Sequence, residues 1–426
     1  MKLWDKGISI DKTIEAFTVG DDRSIDMHIA SYDLSASLAH AKMLTHVGIL
    51  NNNELVEVEQ AIATLQKEVE TGAFKIEDDF EDVHSKIEYE LTQRIGNAGK
   101  KIHTARSRND QVLVALQLYY KDHLTTIQKQ IKVLFDTLMT LADKHKDELL
   151  PGYTHLQVAM PSSFGLWFSA YAETLIDDVL LLQSAQKIVD QNPLGSAAGY
   201  GSSFPIDRNM TTELLQFSEL KYNVVSAQMA RGKNEQIISF SLANLGFTLS
   251  KLAMDICLYM SQNFGFISFP EHLTTGSSIM PHKKNPDVFE LIRGKCNHLQ
   301  SLPSQIQLLT NNLPSGYHRD FQLLKSPMIS AFETIKTVLS ILEYGLQHIE
   351  VKSVDLNDEK YKYLFTVDSI NALVQSGATF RAAYKTVGEQ VQKGTYVSDV
   401  RQKHTHIGSI DNLELEKIKA KFPYLD

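Results

Sequence analysis

Cysteine is almost absent: Cys257 and Cys296 are the only two in 426 residues. They form no C-x-x-C pair and no zinc-ligand spacing. That excludes a disulfide scaffold and a zinc finger, and points to free thiols in a reducing compartment. Positive charge is in deficit, with 42 Lys and Arg against 51 Asp and Glu, and no basic stripe appears. Nucleic acid is therefore not an expected partner. No uncharged run is long enough for a membrane span. The most apolar stretch, 237–260, holds Asn244, Lys251 and Asp255 and reads as a buried core helix. The first six residues lack an apolar h-region, so no secretory signal is expected, and a cytoplasmic location follows. There is no G-x-S-x-G elbow and no G-x-x-x-x-G-K-[ST] loop; Gly99-Lys100-Lys101 fails that pattern. No carboxylate cluster has metal spacing, so a metal is not required.

What the chain does have is long helical periodicity. Its length exceeds the usual single domain. Apolar positions recur at helical spacing over 35–50, 53–72, 111–144, 164–189, 235–263, 288–311 and 324–351, with proline and glycine absent from 111–144. Asn52 or Asn53 is the expected N-cap of the second segment, and Gly72 its C-terminal stop. Several segments far exceed the roughly 11-residue mean helix, and helices this long pack side by side in bundles. Strand signals are sparse. The expected fold is all-α in three parts: an N-terminal helical region over 1–106, a central long-helix bundle over 107–355, and a C-terminal helical region over 356–426.

Polar breaks separate these helices, and loops on a rigid scaffold are where chemistry sits. Four of them carry candidate groups. The stretch "GSSIMPHKKNPD", from Gly276 to Asp287, places a pliant glycine beside Ser277 and Ser278, with Pro281 and Pro286 stiffening its far side. Either serine could act as nucleophile or base, and Lys283 and Lys284 could hold an anion. In "HTARSRNDQV", Ser107, Asn109 or Asp110 could cap the following helix. Its free N–H groups attract carboxylates, and Arg106 or Arg108 could grip one with two hydrogen bonds. In "PGYTHLQ", His155 supplies an imidazole, a side chain suited to proton transfer, while Thr154 offers a hydroxyl. In "YHRDFQLLKS", Gln322 and Lys325 share a helix face and could read an α-carboxylate. Together these breaks describe an anion-binding pocket.

The stretch "TTGSSIMPHKKNPD" resembles the signature of the fumarase/aspartase superfamily, G-S-S-x-M-P-x-K-x-N-P. The doubled lysine followed by Asn-Pro-Asp is similar to the argininosuccinate lyase branch. So are Ser107–Gln111, Tyr153–Gln157, "EDVH" at 81–84, "NPLGSAAGYGSSFPIDR" at 192–208, the Tyr317, Gln322 and Lys325 set, and "GATFRAAYKTVG" at 377–388. The resemblance implies a three-domain helical fold and a homotetramer whose sites are built from several subunits. It also implies reversible β-elimination of argininosuccinate to arginine and fumarate, with no cofactor. In that scheme Ser277 removes the proton, Lys283 and Asn285 steady the carbanion, and His155, paired with Glu290, serves the leaving side. Ser107, Arg108, Asn109, Thr154, Tyr317, Gln322 and Lys325 hold the substrate. The alternatives are a sibling lyase (adenylosuccinate lyase, fumarase or aspartase) and a non-catalytic crystallin-like homologue.

The chain departs from the family pattern in places. His282 stands where glutamine is usual, and Tyr384 where histidine is common. The opening is reduced to Leu3-Trp4-Asp5-Lys6-Gly7. Phe17-Thr18-Val19-Gly20 replaces F-N-x-S, and a substrate-contacting serine falls at about Asp22.

Overall fold

The computed structural model describes residues 11–397 and 401–425; the Leu3–Gly7 opening lies outside the described residues. The chain is predominantly helical, as its periodicity predicts. Among the described residues four helices exceed twenty residues: Arg108–Lys144, Phe164–Val189, Val224–Met260 and Lys325–Gln347. Three of the breaks also hold short strands, against the helical expectation. Leu149–Thr154 and Gln157–Ser163 form an antiparallel hairpin; Gln191–Asn192 runs parallel to Glu219–Leu220; Ile267–Ser268 runs antiparallel to Glu350–Val351.

The chain packs as two compact units, each assembled from discontinuous stretches. One gathers residues 11–128, 181–244 and 298–335, and the other gathers 129–180, 245–297 and 336–425. In the first, Tyr120 of the Arg108–Lys144 helix stacks on Phe332 of the Lys325–Gln347 helix, with ring centroids 5.9 Å apart. The Tyr120 hydroxyl donates to Glu235 Oε1 of the Val224–Met260 helix at 3.1 Å. A second cluster, Ala36, Ala39, Val114, Leu194, Leu215 and Phe217, seals the loop after residue 192. Each fully buried side chain of leucine or phenylalanine size stabilises by about 1.5–3 kcal/mol. In the second unit the same long helices meet through polar contacts. The Trp167 and Tyr171 side chains both donate to Asp255 Oδ2, at 3.1 and 2.6 Å, and Thr137 Oγ1 donates to Glu343 Oε1 at 3.0 Å. The C-terminal pair Thr366–Gln375 and Phe380–Gln392 carries its own small core of Ile370, Ala383, Val387 and Tyr396.

Local chemistry sets the helix ends. The Asn52–Glu70 helix starts one residue earlier than its pattern predicts. Asn51 accepts from the Asn53 and Glu54 amides at 2.9 and 3.0 Å, and Glu54 accepts from the Asn51 amide at 2.9 Å. This is a capping box, which needs the acid three residues after the cap. The segment over 288–311 is two helices, Asp287–Leu299 and Leu302–Thr310, because Pro303 favours a fresh start at a first turn.

The Val224–Met260 helix extends eleven residues upstream of its predicted start and is broken at Arg231 and Gly232. Gly232 has φ +87°, and a Cβ there would lie 2.9 Å from Thr310 Cγ2. A left-handed residue in that space must be glycine. Its amide donates to Glu235 Oε2 at 2.7 Å, restarting the helix like a cap. Gly232→Ala is expected to destabilise the first unit by about 1–3 kcal/mol through backbone strain and crowding. Amide hydrogen exchange over 224–244 checks this: unchanged protection in the variant contradicts it.

Candidate active site

The first unit contains a cavity lined by both acids and bases. Asp22, Asp26, Glu81 and Asp82 face Arg108, Arg231, Arg319 and Lys325, with His84, His103, Asn109, Tyr317 and Gln322 between them. Five of the sequence-predicted substrate residues therefore come together here: Arg108, Asn109, Tyr317, Gln322 and Lys325. Two hundred residues separate the Arg108–Asn109 pair from the other three, so only the fold makes them neighbours.

Each is positioned by a specific local device. Ser107 caps the long helix, its Oγ accepting from the Asn109 amide at 3.3 Å, and Asp110 Oδ1 reaches back to the Ser107 amide at 2.9 Å. Of the three possible caps the structure uses the Ser107–Asp110 pair. Ser107 itself is not among the lining residues. The second oxygen of Asp110 accepts from the Gly195 and Ala197 amides at 3.0 and 2.9 Å, pinning the glycine-rich loop against the helix start. Asn109 and Arg108, in the first helical turn, then point into the cavity. Arg108 pairs with Asp82 and donates to Ser85 Oγ at 3.1 Å.

The far wall is the 3-10 turn Arg319–Leu324 and the start of the Lys325–Gln347 helix. It is sewn to the N-terminal segment. Arg319 donates to the Thr18 carbonyl at 2.7 Å, and Gln322 Nε2 donates to the carbonyls of Thr18 and Val19 at 3.0 and 3.2 Å. The Lys325 ammonium, 5% exposed, meets Asp26 at 2.6 Å and Asp22 at 2.8 Å. Burial works against its charge, but the two carboxylates overcome it and hold the ammonium above its ordinary range.

The acids are not alike. Burial raises Asp22, Lys325 offsets only part of this, and Asp26 and Asp82 add repulsion, leaving its carboxyl at about 6. Burial also opposes the charge of Asp82, but Arg108, His84 and the Ser85 amide outweigh it and hold the carboxyl at about 2. Behind the cavity Asp33 is fully buried and lies 3.1 Å from His84 Nδ1, and it accepts from Gln111 Nε2 at 3.1 Å. Burial, reinforced by Arg106 and Arg108, depresses His103 to about 4 and keeps it neutral near pH 7.

The other candidates belong to the second unit, and none lines this cavity. The signature stretch is a loop closed at its neck by paired backbone: the Asn285 amide donates to the Thr275 carbonyl at 2.8 Å, and Asn285 Nδ2 to the Gly276 carbonyl at 3.2 Å. Thr275 Oγ1 donates to Asp287, and Lys284 pairs with Glu271 at 3.2 Å. Ser277 Oγ accepts from the Ile279 and Met280 amides at 3.4 and 3.2 Å. Lys283 is exposed. Glu290 lies in the first turn of the Asp287–Leu299 helix, 3.9 Å from Arg293.

The break containing His155 is a two-residue hairpin turn, with Thr154 paired to Gln157. Both turn residues are left-handed, His155 at φ +54° and Leu156 at φ +57°. Such turns favour Asn-Gly, so His-Leu carries strain. His155 and Thr154 are exposed at the tip, and within one chain His155 does not meet Glu290 among the described residues.

Sequence reasoning passed over Asp26, Arg231 and Arg319 as site residues and treated His84 only as part of a motif. Two signals were available. Asp22 and Asp26 stand four apart, on one helical face. An Arg-Gly pair just ahead of an apolar periodic run marks a break that can aim a charge. Among the described residues no group of three or more His, Cys, Asp or Glu could hold a metal ion.

A family profile described as "Lyase" matches residues 6–300. The argininosuccinate lyase of Bacteroides fragilis is 52% identical over 419 residues, covering 98% of this chain and 94% of its own. That of Thermotoga neapolitana is 41% identical over 389 residues, covering 91% and 98%. Among solved structures, a class II fumarase from Schistosoma mansoni superposes with a TM-score of 0.75 at 16% identity, over 89% of this chain and 88% of that one. At that identity the likeness concerns the fold.

The opposed acids predict opposite pH effects. Asp82, depressed to about 2, contributes stability that is present above pH 4 and lost as pH falls toward 2. Asp22, raised to about 6, binds its proton more readily folded than unfolded, so its contribution falls as pH rises from about 4 to 6. The melting-temperature difference between wild type and Asp82→Asn should therefore shrink below pH 4. That between wild type and Asp22→Asn should change between pH 4 and 6. Differences flat across both windows contradict the assignment.

Proposed function

The chain belongs to the argininosuccinate lyases of the fumarase/aspartase superfamily, and from that premise we propose how its residues divide the work. The reaction is the reversible β-elimination of argininosuccinate to L-arginine and fumarate, as in arginine biosynthesis. In the elimination direction Ser277 Oγ removes the proton from the carbon beside the succinyl carboxylate. The electron pair spreads into that carboxylate, held by Lys283 and Asn285. The carbon–nitrogen bond then breaks, its electrons pass to the guanidino nitrogen, and His155, helped by Glu290, serves that leaving side. Arg108, Asn109, Thr154, Tyr317, Gln322 and Lys325 hold the substrate, with Ser107 positioning the first two through its cap.

The observation that carries the Ser277 role is the pair of amides at its Oγ. A serine is a poor base because its alkoxide is costly, and two N–H donors lower that cost. The scheme uses only side chains and main-chain amides.

We further propose a cytoplasmic homotetramer with shared sites, organised as the 1–106, 107–355 and 356–426 parts, and with neither nucleic acid nor membrane as a partner. Two observations support sharing. His155 is exposed at its hairpin tip and, within one chain, does not meet Glu290, its partner in the scheme, among the described residues. On the Val224–Met260 helix, Phe240, Phe247 and Met254 are exposed at seven-residue spacing, an apolar seam suited to a partner helix.

Ser277→Ala is expected to leave a folded oligomer whose fumarate release, followed by ultraviolet absorbance, drops by about three orders of magnitude or more. His155→Asn should lower kcat more than it raises KM. Mixing these two variants under subunit exchange should raise activity above that of either alone, because some sites then draw both residues from unmutated copies. No recovery contradicts sharing, and near-normal Ser277→Ala turnover contradicts the base.

A further inference from the structure

Lys325 has one more carboxylate than it needs. Asp26 is fully buried, touches the ammonium at 2.6 Å, and its second oxygen accepts from the Val83 amide at 3.3 Å. That pair is already neutral. Asp22 adds a second carboxylate at 2.8 Å, so the cluster carries one excess negative charge. Both acids line the cavity, but Asp26 is fully buried whereas the Asp22 side chain is 14% exposed. Its second oxygen makes no hydrogen bond among the described residues.

The neighbouring cations are committed elsewhere. Arg108 is held by Asp82, Arg231 by Glu235 and the Phe321 carbonyl, and Arg319 by the Thr18 carbonyl. The wall thus presents an ammonium beside an under-paired carboxylate. That is the electrostatic complement of a zwitterionic amino-acid end, whose own ammonium and carboxylate are one carbon apart.

We infer that Asp22 is a specificity-determining residue that takes the α-ammonium of the arginine portion of the substrate, while Lys325 faces the adjoining α-carboxylate. The inference rests on the lyase reading and names the group that reads one end of that substrate. The guanidinium is the other cation argininosuccinate offers. It is planar and pairs best with both oxygens of a free carboxylate. Asp22 has one oxygen already on Lys325, and the single remaining oxygen suits the point charge of an ammonium. A neutral serine, the residue expected there from the family pattern, supplies a hydrogen bond without that charge.

The experiment compares three ligands on wild type, Asp22→Asn and Asp22→Ser by calorimetry: L-arginine, 5-guanidinopentanoate, which lacks the α-amino group, and agmatine, which lacks the carboxylate. Wild type should bind arginine about tenfold or more tighter than 5-guanidinopentanoate, the scale of one charge-assisted hydrogen bond. In both variants that preference should fall to near one. Agmatine should weaken in parallel with arginine, and 5-guanidinopentanoate should hold or improve. KM for argininosuccinate should rise by a similar factor, with a smaller fall in kcat. An unchanged arginine preference in correctly folded variants overturns the inference. So does equal weakening of arginine and 5-guanidinopentanoate, which would place the guanidinium on Asp22. Turnover of argininosuccinate by wild type tests the lyase reading separately from this ratio.

Discussion

A buried ammonium holds the first unit's site together. Lys325 and the acids that face it, Asp22 and Asp26, are 299 residues or more apart in sequence. An unpaired lysine at this depth would be costly, and so would either carboxylate without it. Together they fasten the segment around residues 18–26 to the turn over 319–325. The Gln322 and Arg319 bonds to main-chain carbonyls of residues 18 and 19 lie on the same seam. The cavity wall therefore exists only when the two segments are docked. Its charge is set by how many acids share one cation.

The same logic explains why the polar groups of this wall are poised and still available. Arg108 is occupied by Asp82, but that acid also caps the Val83–Ile95 helix through the Ser85 amide. A substrate carboxylate can approach the guanidinium without leaving Asp82 unpartnered. Ser107 and Asp110 satisfy the free amides at the start of the long helix, which lets Asn109 turn its side chain to the cavity. Structural hydrogen bonds here fix directions, and the remaining donors define what can bind.

Much of this was legible in the sequence. The long helices were readable because a 3.6-residue apolar repeat extends for many turns over 111–144 and 164–189. The candidate loops were readable because proline, glycine and clustered polar residues interrupt that repeat. The Lys325 and Gln322 face, the Ser107 cap and the Ser277 loop all showed local signals. The capping box at Asn51 was missed by one residue, since a run of three asparagines offers three caps and only the position of Glu54 chooses among them. The hairpin at 149–163 was missed because its turn is His-Leu, which carries none of the usual turn chemistry.

The sequence by itself determined helix content, the positions of the breaks and the residue types within them, because these follow from short-range periodicity and local conformational preference. It also carried the ordered motifs that mark the superfamily. Only the tertiary structure decided which breaks share a cavity. It also decided that Asp22 and Asp26 converge on Lys325, and that Arg231 is aimed by a glycine kink that only a close neighbour demands. Those outcomes depend on contacts hundreds of residues apart and on the cost of burying charge. Neither leaves a pattern in the residues flanking any one of the partners.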